Sequence, residues 1–157
     1  MSENDSAARL VGINHVALPV GDAEAATEFY GSVFEFEVRG RSDAGVFLDM
    51  GDQFLALMET AADANGDGMI GDHRHVGLVV DDTTAVERAL DEHGVETLDT
   101  NGLDFRDPWG NRLQVVAYEE VQFTKADHVR DGMGLSDLKK SAAALAELEA
   151  KGMTPEE

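Results

Sequence analysis

Two histidines occupy matching positions in two similar segments of the chain. The segment from Asn14 reads NHVALPVGD and the segment from Arg74 reads RHVGLVVDD, so that His15 and His75 lie sixty residues apart and five positions coincide. The chain has no cysteine, which leaves imidazole, carboxylate and amide groups as the plausible protein ligands for a metal ion. The matched histidines are therefore the first candidates for metal chemistry.

The two segments predict the same order of elements. In each copy, alternating apolar residues predict a strand, and an aspartate, Asp22 or Asp82, caps a predicted helix over 23–33 or 84–93. Further strands are predicted after these helices, over 37–41, 46–50 and 53–60 in the first copy and over 95–98, 103–106 and 112–118 in the second. The pattern predicts an α+β fold of two tandem βαβββ modules.

Composition divides the chain into four parts. They are a first module over 10–60, a small, polar, glycine-rich linker over 61–72, a second module over 73–118 and an extension over 119–157. The extension contains a predicted helix over 136–151 with leucines along one side. We expect this helix to pack on the protein itself or on a dimer partner.

A family resemblance rests on the strand histidines and on the motif DPWGNRLQ, which runs from Asp107 to Gln114. Over residues 10–118 the chain resembles the vicinal-oxygen-chelate superfamily of glyoxalases, bleomycin-resistance proteins and extradiol dioxygenases. The resemblance implies a curled mixed β-sheet barrel with a divalent metal, iron, zinc, manganese or nickel, in its cavity. Family members include lyases, epimerases and dioxygenases as well as metal-free drug-binding proteins.

Carried over position by position, the resemblance implies that His15, His75 and Gln114 are the metal ligands. Gln114 stands where the family usually has glutamate, and the fourth ligand position falls on Ala56, which cannot bind a metal. Two imidazoles and one oxygen ligand would leave coordination positions open for substrate. The alternative is that the histidines are hydrogen-bonded barrel residues retained from a metal-binding ancestor.

Three residues are candidate catalytic bases beside such a metal: Glu59, His73 and Tyr118. On a regular strand Glu59 points away from the face of Ala56, so only a bulge or a twist would bring it inward. His73 could equally be a solvated residue at the start of a strand, and Tyr118 could simply pack at the end of one.

Four further side chains are candidates for substrate binding. Arg112 shares the predicted face of Gln114 and could pair with an anionic substrate. Phe54, Met58 and Trp109 could line an apolar cavity. Two functions follow: a metal-dependent lyase, isomerase or dioxygenase acting on a small oxygenated substrate, or a metal-free ligand-binding protein of the bleomycin-resistance type. A symmetric homodimer is expected in both cases.

The charge of the chain is strongly negative, with 32 acidic against 12 basic residues and a formal net charge of -20. Such a surface repels phosphate backbones and anionic lipids, so nucleic acid and membranes are not expected partners. The N-terminal residues are polar and acidic and no long apolar run occurs, which predicts a cytoplasmic protein. The excess of carboxylates is typical of proteins from salt-loving organisms.

Overall fold

A mixed four-stranded sheet occupies the first half of the computed structural model, which describes residues 7–9, 12–60 and 73–155. The predicted linker lies outside the described residues. The chain forms, in order, β1 (His15–Val20), α1 (Ala23–Val33), β2 (Glu37–Arg41), β3 (Gly45–Asp49) and β4 (Phe54–Glu59). The strand order is β1-β4-β3-β2, in which β1 runs parallel to β4 and the other pairs are antiparallel.

A three-stranded sheet occupies the second half. Its elements are β5 (Val76–Val80), α2 (Thr83–Glu92), β6 (Leu103–Arg106) and β7 (Arg112–Ala117), in the strand order β5-β7-β6 with β5 parallel to β7. The strand predicted over 95–98 is wrong, since a single bridge from Thr97 to Phe105 takes its place. Val95 donates its N–H to the Leu90 carbonyl at the end of α2, so this backbone group serves the helix terminus instead of a strand.

The predicted helix caps are confirmed. The Asp22 side chain accepts from the backbone N–H of Ala25 at 3.0 Å, and the Asp82 side chain accepts from that of Ala85 at 3.2 Å. Each bond satisfies a donor that a helix N-terminus otherwise leaves unpaired. The two helices consequently begin at corresponding points after β1 and β5.

Each sheet turns one face to a shared hydrophobic core. Strand alternation places Leu18 and Leu57 on the core face of the first sheet and Leu113 on that of the second. Tyr30 of α1 and Phe105 of β6 are fully buried in the same cluster. The opposite face of each sheet is left for other contacts.

The α+β class is confirmed, but the closed barrel is wrong. No strand pairing joins the two sheets in the described residues, so the ladders end at β1 and β2 in one sheet and at β5 and β6 in the other. Side chains connect the halves instead: Tyr30 donates its O–H to Asp107 Oδ2, and Asn111 donates Nδ2–H to the Pro19 carbonyl, both at 2.8 Å. The division into two modules stays a prediction.

The C-terminal extension contains a 3-10 turn (Tyr118–Glu120), α3 (Asp127–Gly132) and α4 (Ala142–Ala150). The helix predicted over 136–151 is shorter than expected, because Ser141 caps its first turn by accepting from the Ala144 N–H at 3.2 Å. The segment before Ser141 is held by Lys140, whose Nζ donates to three backbone carbonyls, those of Tyr118, Val121 and Phe123. None of the helices in 12–60 and 73–155 has the length and apolar character needed to cross a bilayer.

Candidate functional site

His15 lies on the face of the first sheet that is turned away from the core. The register pairs His15 with Phe54, and the two rings stack with centroids 4.7 Å apart and planes 8° apart. Ala56 and Met58 follow Phe54 on this face, and Phe47 of β3 contacts the Phe54 ring edge-on. We call this surface the first face.

The His15 ring is held in one orientation by a local hydrogen bond. Its Nδ1 lies 2.8 Å from Asn14 Oδ1. Because this oxygen can only accept, Nδ1 donates, and Nε2 of the neutral ring keeps a free lone pair. Nε2 is therefore the ring atom that could bind a metal ion.

His75 is held in the same manner. Its Nδ1 lies 2.9 Å from the backbone carbonyl oxygen of His73, and the imidazole is exposed directly before β5. Nδ1 again donates, which leaves Nε2 as the free ring nitrogen. His73, a predicted catalytic base, thus orients His75 through its backbone while its own ring stays exposed.

Gln114 of β7 lies on the outward face of the second sheet, between Gly77 of β5 and Asp104 of β6 in the register. His75 precedes Gly77 by two residues and so falls on the same side by strand alternation. A Cβ built on Gly77 would meet nothing within 4 Å, so the space beside Gln114 is open. We call the surface formed by His75, Gly77, Gln114 and Arg112, beneath which Asp104 is buried, the second face.

Asp104 is a functional candidate that the sequence analysis missed. It is fully buried and accepts from Arg112 Nε at 2.9 Å, Thr100 Oγ1 at 3.0 Å and Gln114 Nε2 at 3.4 Å. Burial acts to raise the pKa of Asp104, but the hydrogen bonds from these three side chains and the charge of Arg112 together lower the pKa below the ordinary value. The signal in the sequence that could have identified Asp104 is its position between Leu103 and Phe105 in a predicted strand.

Asp104 determines which end of the Gln114 amide faces outward. Because the Gln114 NH₂ group donates to Asp104 Oδ1, the carbonyl oxygen Oε1 is directed away from the carboxylate. A metal ligand at this position has to be an oxygen. The donor atoms of His15, His75 and Gln114 therefore fit a divalent metal chemically.

The two faces are separate parts of the candidate site. His75 and Gln114 share the second face, but no hydrogen bond or ring contact in the described residues joins either of them to His15. No group of three His, Cys, Asp or Glu residues in these residues could hold a metal ion. Two surface clefts lie elsewhere, one along α1 and the loop 34–36 that follows it, and the other between α2 and the segment 94–103.

Two of the predicted residues do not lie on these faces. The β1–β4 register continues without a bulge to Glu59, which places its side chain on the opposite side of the sheet from Ala56. Tyr118 is buried beneath the C-terminal extension, where its hydroxyl accepts from the Lys125 N–H at 3.2 Å and Lys140 Nζ lies 3.5 Å from the ring centroid. Neither placement supports a role as base beside His15.

The predicted substrate-binding residues divide in the same way. Phe54 and Met58 are half-buried on the first face, and Arg112 lies on the second, paired with Asp104 through NH2 at 2.7 Å. Trp109 instead belongs to the hydrophobic core, with 6% of its surface exposed. Its position in the turn before β7 directs the indole inward, so it does not line either face.

Two mixed sheets with parallel first and last strands and outward-facing histidines define an α+β protein of the glyoxalase-like class. The chain belongs to the Glyoxalase/Bleomycin resistance protein/Dioxygenase superfamily, whose family model matches residues 12–115. No curated protein is similar enough to count as a relative.

Solved structures support the same fold. A glyoxalase family protein from Bacillus anthracis has 21% identity and a TM-score of 0.58, with 71% of this chain and 98% of that chain covered. The fosfomycin resistance protein FosX from Mesorhizobium loti has 18% identity and a TM-score of 0.53, with coverages of 68% and 91%. The oxidase ChaP-H2 has 16% identity and a TM-score of 0.55, with coverages of 69% and 94%. At these identities the likeness concerns the fold alone.

Proposed function

We propose that this protein is a metal-dependent enzyme that acts on a small oxygenated substrate. The observation that carries the proposal is the matched orientation of two histidines, each of which donates through Nδ1 to an oxygen and keeps Nε2 free. Family membership supports a small-molecule substrate. The reaction would be a lyase, isomerase or dioxygenase reaction, in a cytoplasmic setting.

His15, His75 and Gln114 would hold the ion through two imidazole nitrogens and one amide oxygen. When bound, a divalent metal of this kind acts as a Lewis acid on neighbouring substrate oxygens. Asp104 is a positioning residue, because it fixes Gln114 with the carbonyl oxygen outward. His73, which is exposed two residues before His75, would be the base of this site.

Metal content tests the proposal directly. Protein purified without chelator or affinity-metal resin is analysed for iron, zinc, manganese and nickel, beside the variants His15→Ala, His75→Ala and Gln114→Ala. We expect about one equivalent per intact site in the parent protein, with loss in both histidine variants. His93→Ala is the matched control, since His93 is exposed at the C-terminal end of α2. No metal after loading, or equal metal in all variants, would reject the ligand set.

The two faces are proposed to meet across a homodimer. Neither sheet closes on the other within the chain, and each turns its ligand-bearing face away from its own core. A symmetric pair would bring the first face of one protomer against the second face of its partner. Each dimer would then hold two equivalent sites.

Mixed dimers decide between a shared site and a site within one chain. His15→Ala and His75→Ala chains are co-expressed with different tags, and the heterodimer is isolated and analysed for metal. A shared site predicts recovery of about half the parent metal content, because one of the two sites has both histidines intact. A site within one chain predicts no recovery, and a monomer by light scattering would reject the dimer itself.

A metal-free binding function is the second candidate, supported by the apolar part of the first face. Phe47, Phe54 and Met58 lie together there and are half-buried. Such a surface could hold an apolar or aromatic ligand. This function predicts ligand binding that is unchanged by metal loading and by His75→Ala.

A further inference from the structure

Arg39 is presented on the first face by an irregularity in β2. The β2–β3 register shifts between Val38 and Gly40, so Arg39 is the extra residue of a β-bulge. Its guanidinium carbon lies 4.4 Å from the centroid of the Phe54 ring. Bulges commonly redirect a side chain in this way, and here the redirected side chain reaches the ring on which His15 stacks.

The other arginines on the sheets have protein partners. Arg112 pairs with Asp104 at 2.7 Å, Arg41 pairs with Glu24 at 3.2 Å, and Arg106 donates to the Gly110 carbonyl at 2.6 Å. Arg39 is exposed and makes no ion pair in the described residues, although Glu37 and Asp49 occupy neighbouring positions on its side of the sheet. Its contact with the Phe54 ring is a cation–π interaction, which uses none of the N–H groups of the guanidinium as hydrogen-bond donors to an oxygen.

An available guanidinium edge has a specific chemistry. Its N–H groups form a planar fork that matches two oxygens of a carboxylate or phosphate. In a chain with a formal net charge of -20 the overall field repels anions, so a small anion needs a local cation at its binding position. Because β1 and β2 lie on opposite sides of β4, Arg39 and His15 approach Phe54 from opposite sides and border the same surface.

We propose that Arg39 binds the carboxylate or phosphate group of a small organic anion on the first face, with the rest of the molecule directed along Phe54 towards His15. The inference deepens the proposed function, because it names the substrate class of that site. Phe54 is the positioning residue that keeps the guanidinium over the face.

Binding of simple probes to metal-free protein tests the inference. Propionate and ethyl phosphate are titrated at constant ionic strength by NMR, with propionamide as the neutral analogue of the carboxylate. We expect propionate or ethyl phosphate to bind and propionamide not to bind. The stronger of the two anions identifies which oxyanion the site prefers.

Variants assign the binding to Arg39. Arg39→Gln should weaken anion binding roughly tenfold or more, and Arg39→Lys by a smaller factor, since lysine keeps the charge but loses the fork. Phe54→Leu should also weaken binding, because the guanidinium loses its platform. Arg41→Gln is the matched control, with the same charge change on the same strand at a residue paired with Glu24.

Equal anion affinity in the Arg39→Gln and parent proteins would overturn the inference, as would equal binding of propionamide. Thermal denaturation of each variant confirms that it is folded. Because chelator-treated protein is used, absence of metal binding rejects the proposed function without affecting this result. Normal metal loading with anion binding that does not depend on Arg39 rejects only the inference.

Discussion

At the scale of single residues, Asp104 explains why glutamine at position 114 suits this chain. The Asp104 carboxylate is fully buried and already accepts three side-chain donors. A glutamate at position 114 would place a second carboxylate against that of Asp104 with no N–H group to donate. The Gln114 amide, in contrast, donates a hydrogen bond to Asp104. The departure from the family's usual glutamate is therefore coupled to a residue on the neighbouring strand.

Asp104→Asn is predicted to destabilise the protein by about 2 to 3 kcal/mol, because the Arg112 guanidinium loses a buried, negatively charged hydrogen-bond acceptor. Because the pKa of Asp104 is lowered in the folded state, the extra stability of the parent protein over the variant is complete above pH 3.8, the ordinary aspartate pKa. This extra stability is lost as the pH falls below that value. Urea unfolding across this range measures both effects. Asp99→Asn, at an exposed neighbouring position, should change the free energy of unfolding little. A difference between the parent and Asp104→Asn that does not depend on pH would contradict the role given to the Asp104 carboxylate.

Gln114→Glu is predicted to destabilise the metal-free protein by about 1 to 2 kcal/mol near neutral pH, because the new carboxylate lies against that of Asp104. Mutual repulsion raises the pKa of the new group, so stability should be lost as the pH rises through that pKa and regained on acidification. Thermal denaturation at several pH values measures this. Gln122→Glu makes the same change at an exposed residue. A parent-like stability at neutral pH would show that positions 104 and 114 are not coupled.

At the scale of elements, local signals predicted most of the fold. The bounds of α1, β2 and β6 agree with the predictions over 23–33, 37–41 and 103–106, because capping by Asp22 and strand alternation are local properties. The strand over 95–98 and the full helix over 136–151 failed, since tertiary contacts override the local pattern there. Hydrogen bonding by Lys140, for example, depends on carbonyls about twenty residues away.

The candidate site was predictable only in part. A repeated sequence motif identified His15 and His75, and a turn motif identified Gln114. Asp104 and Arg39 could not be assigned in the same way, because their roles depend on the β6–β7 register and on a bulge in β2. Pairings between distant segments leave no periodic signal in the chain.

Lys140→Met is predicted to destabilise the extension by about 1 to 3 kcal/mol, because three backbone carbonyls lose their donor. Burial and, to a smaller extent, the charge of Arg130 lower the pKa of Lys140 to about 8 from 10.5. Between these values the folded state releases the proton before the unfolded state does, so the stability of the parent should rise relative to the variant as the pH increases. Thermal denaturation from about pH 7 to 10 follows the difference. Lys139→Met, at an exposed neighbour, should show no such trend. A difference in stability between the parent and Lys140→Met that does not change with pH would contradict the prediction.

At the scale of the whole molecule, net charge dominates the response to solvent. The formal net charge is -20, so the carboxylates brought together in the folded state repel one another. Dissolved ions screen this repulsion. Few ion pairs offset this repulsion, since the described residues contain four. Salt is therefore expected to act on the fold as a whole.

The thermal midpoint is predicted to rise by on the order of 5 to 10 °C between low salt and about 1 M salt. Most of the rise should occur below about 0.5 M, because the Debye length is then already only a few ångströms. Differential scanning calorimetry in potassium chloride measures it, and sucrose of equal osmolality is the uncharged control. A midpoint that does not change with salt would contradict the screening account.

The turn before β7 also gives the molecule an optical property. Trp109 is the single tryptophan of the chain and is buried. Its backbone N–H donates to Asp107 Oδ1 at 2.9 Å, while Oδ2 of the same aspartate accepts from Tyr30 of α1. The one indole chromophore thus lies where the two halves of the chain meet. The wavelength of its fluorescence emission therefore reports whether the two halves are packed together. A ligand bound on the outward face of either sheet should leave this wavelength unchanged.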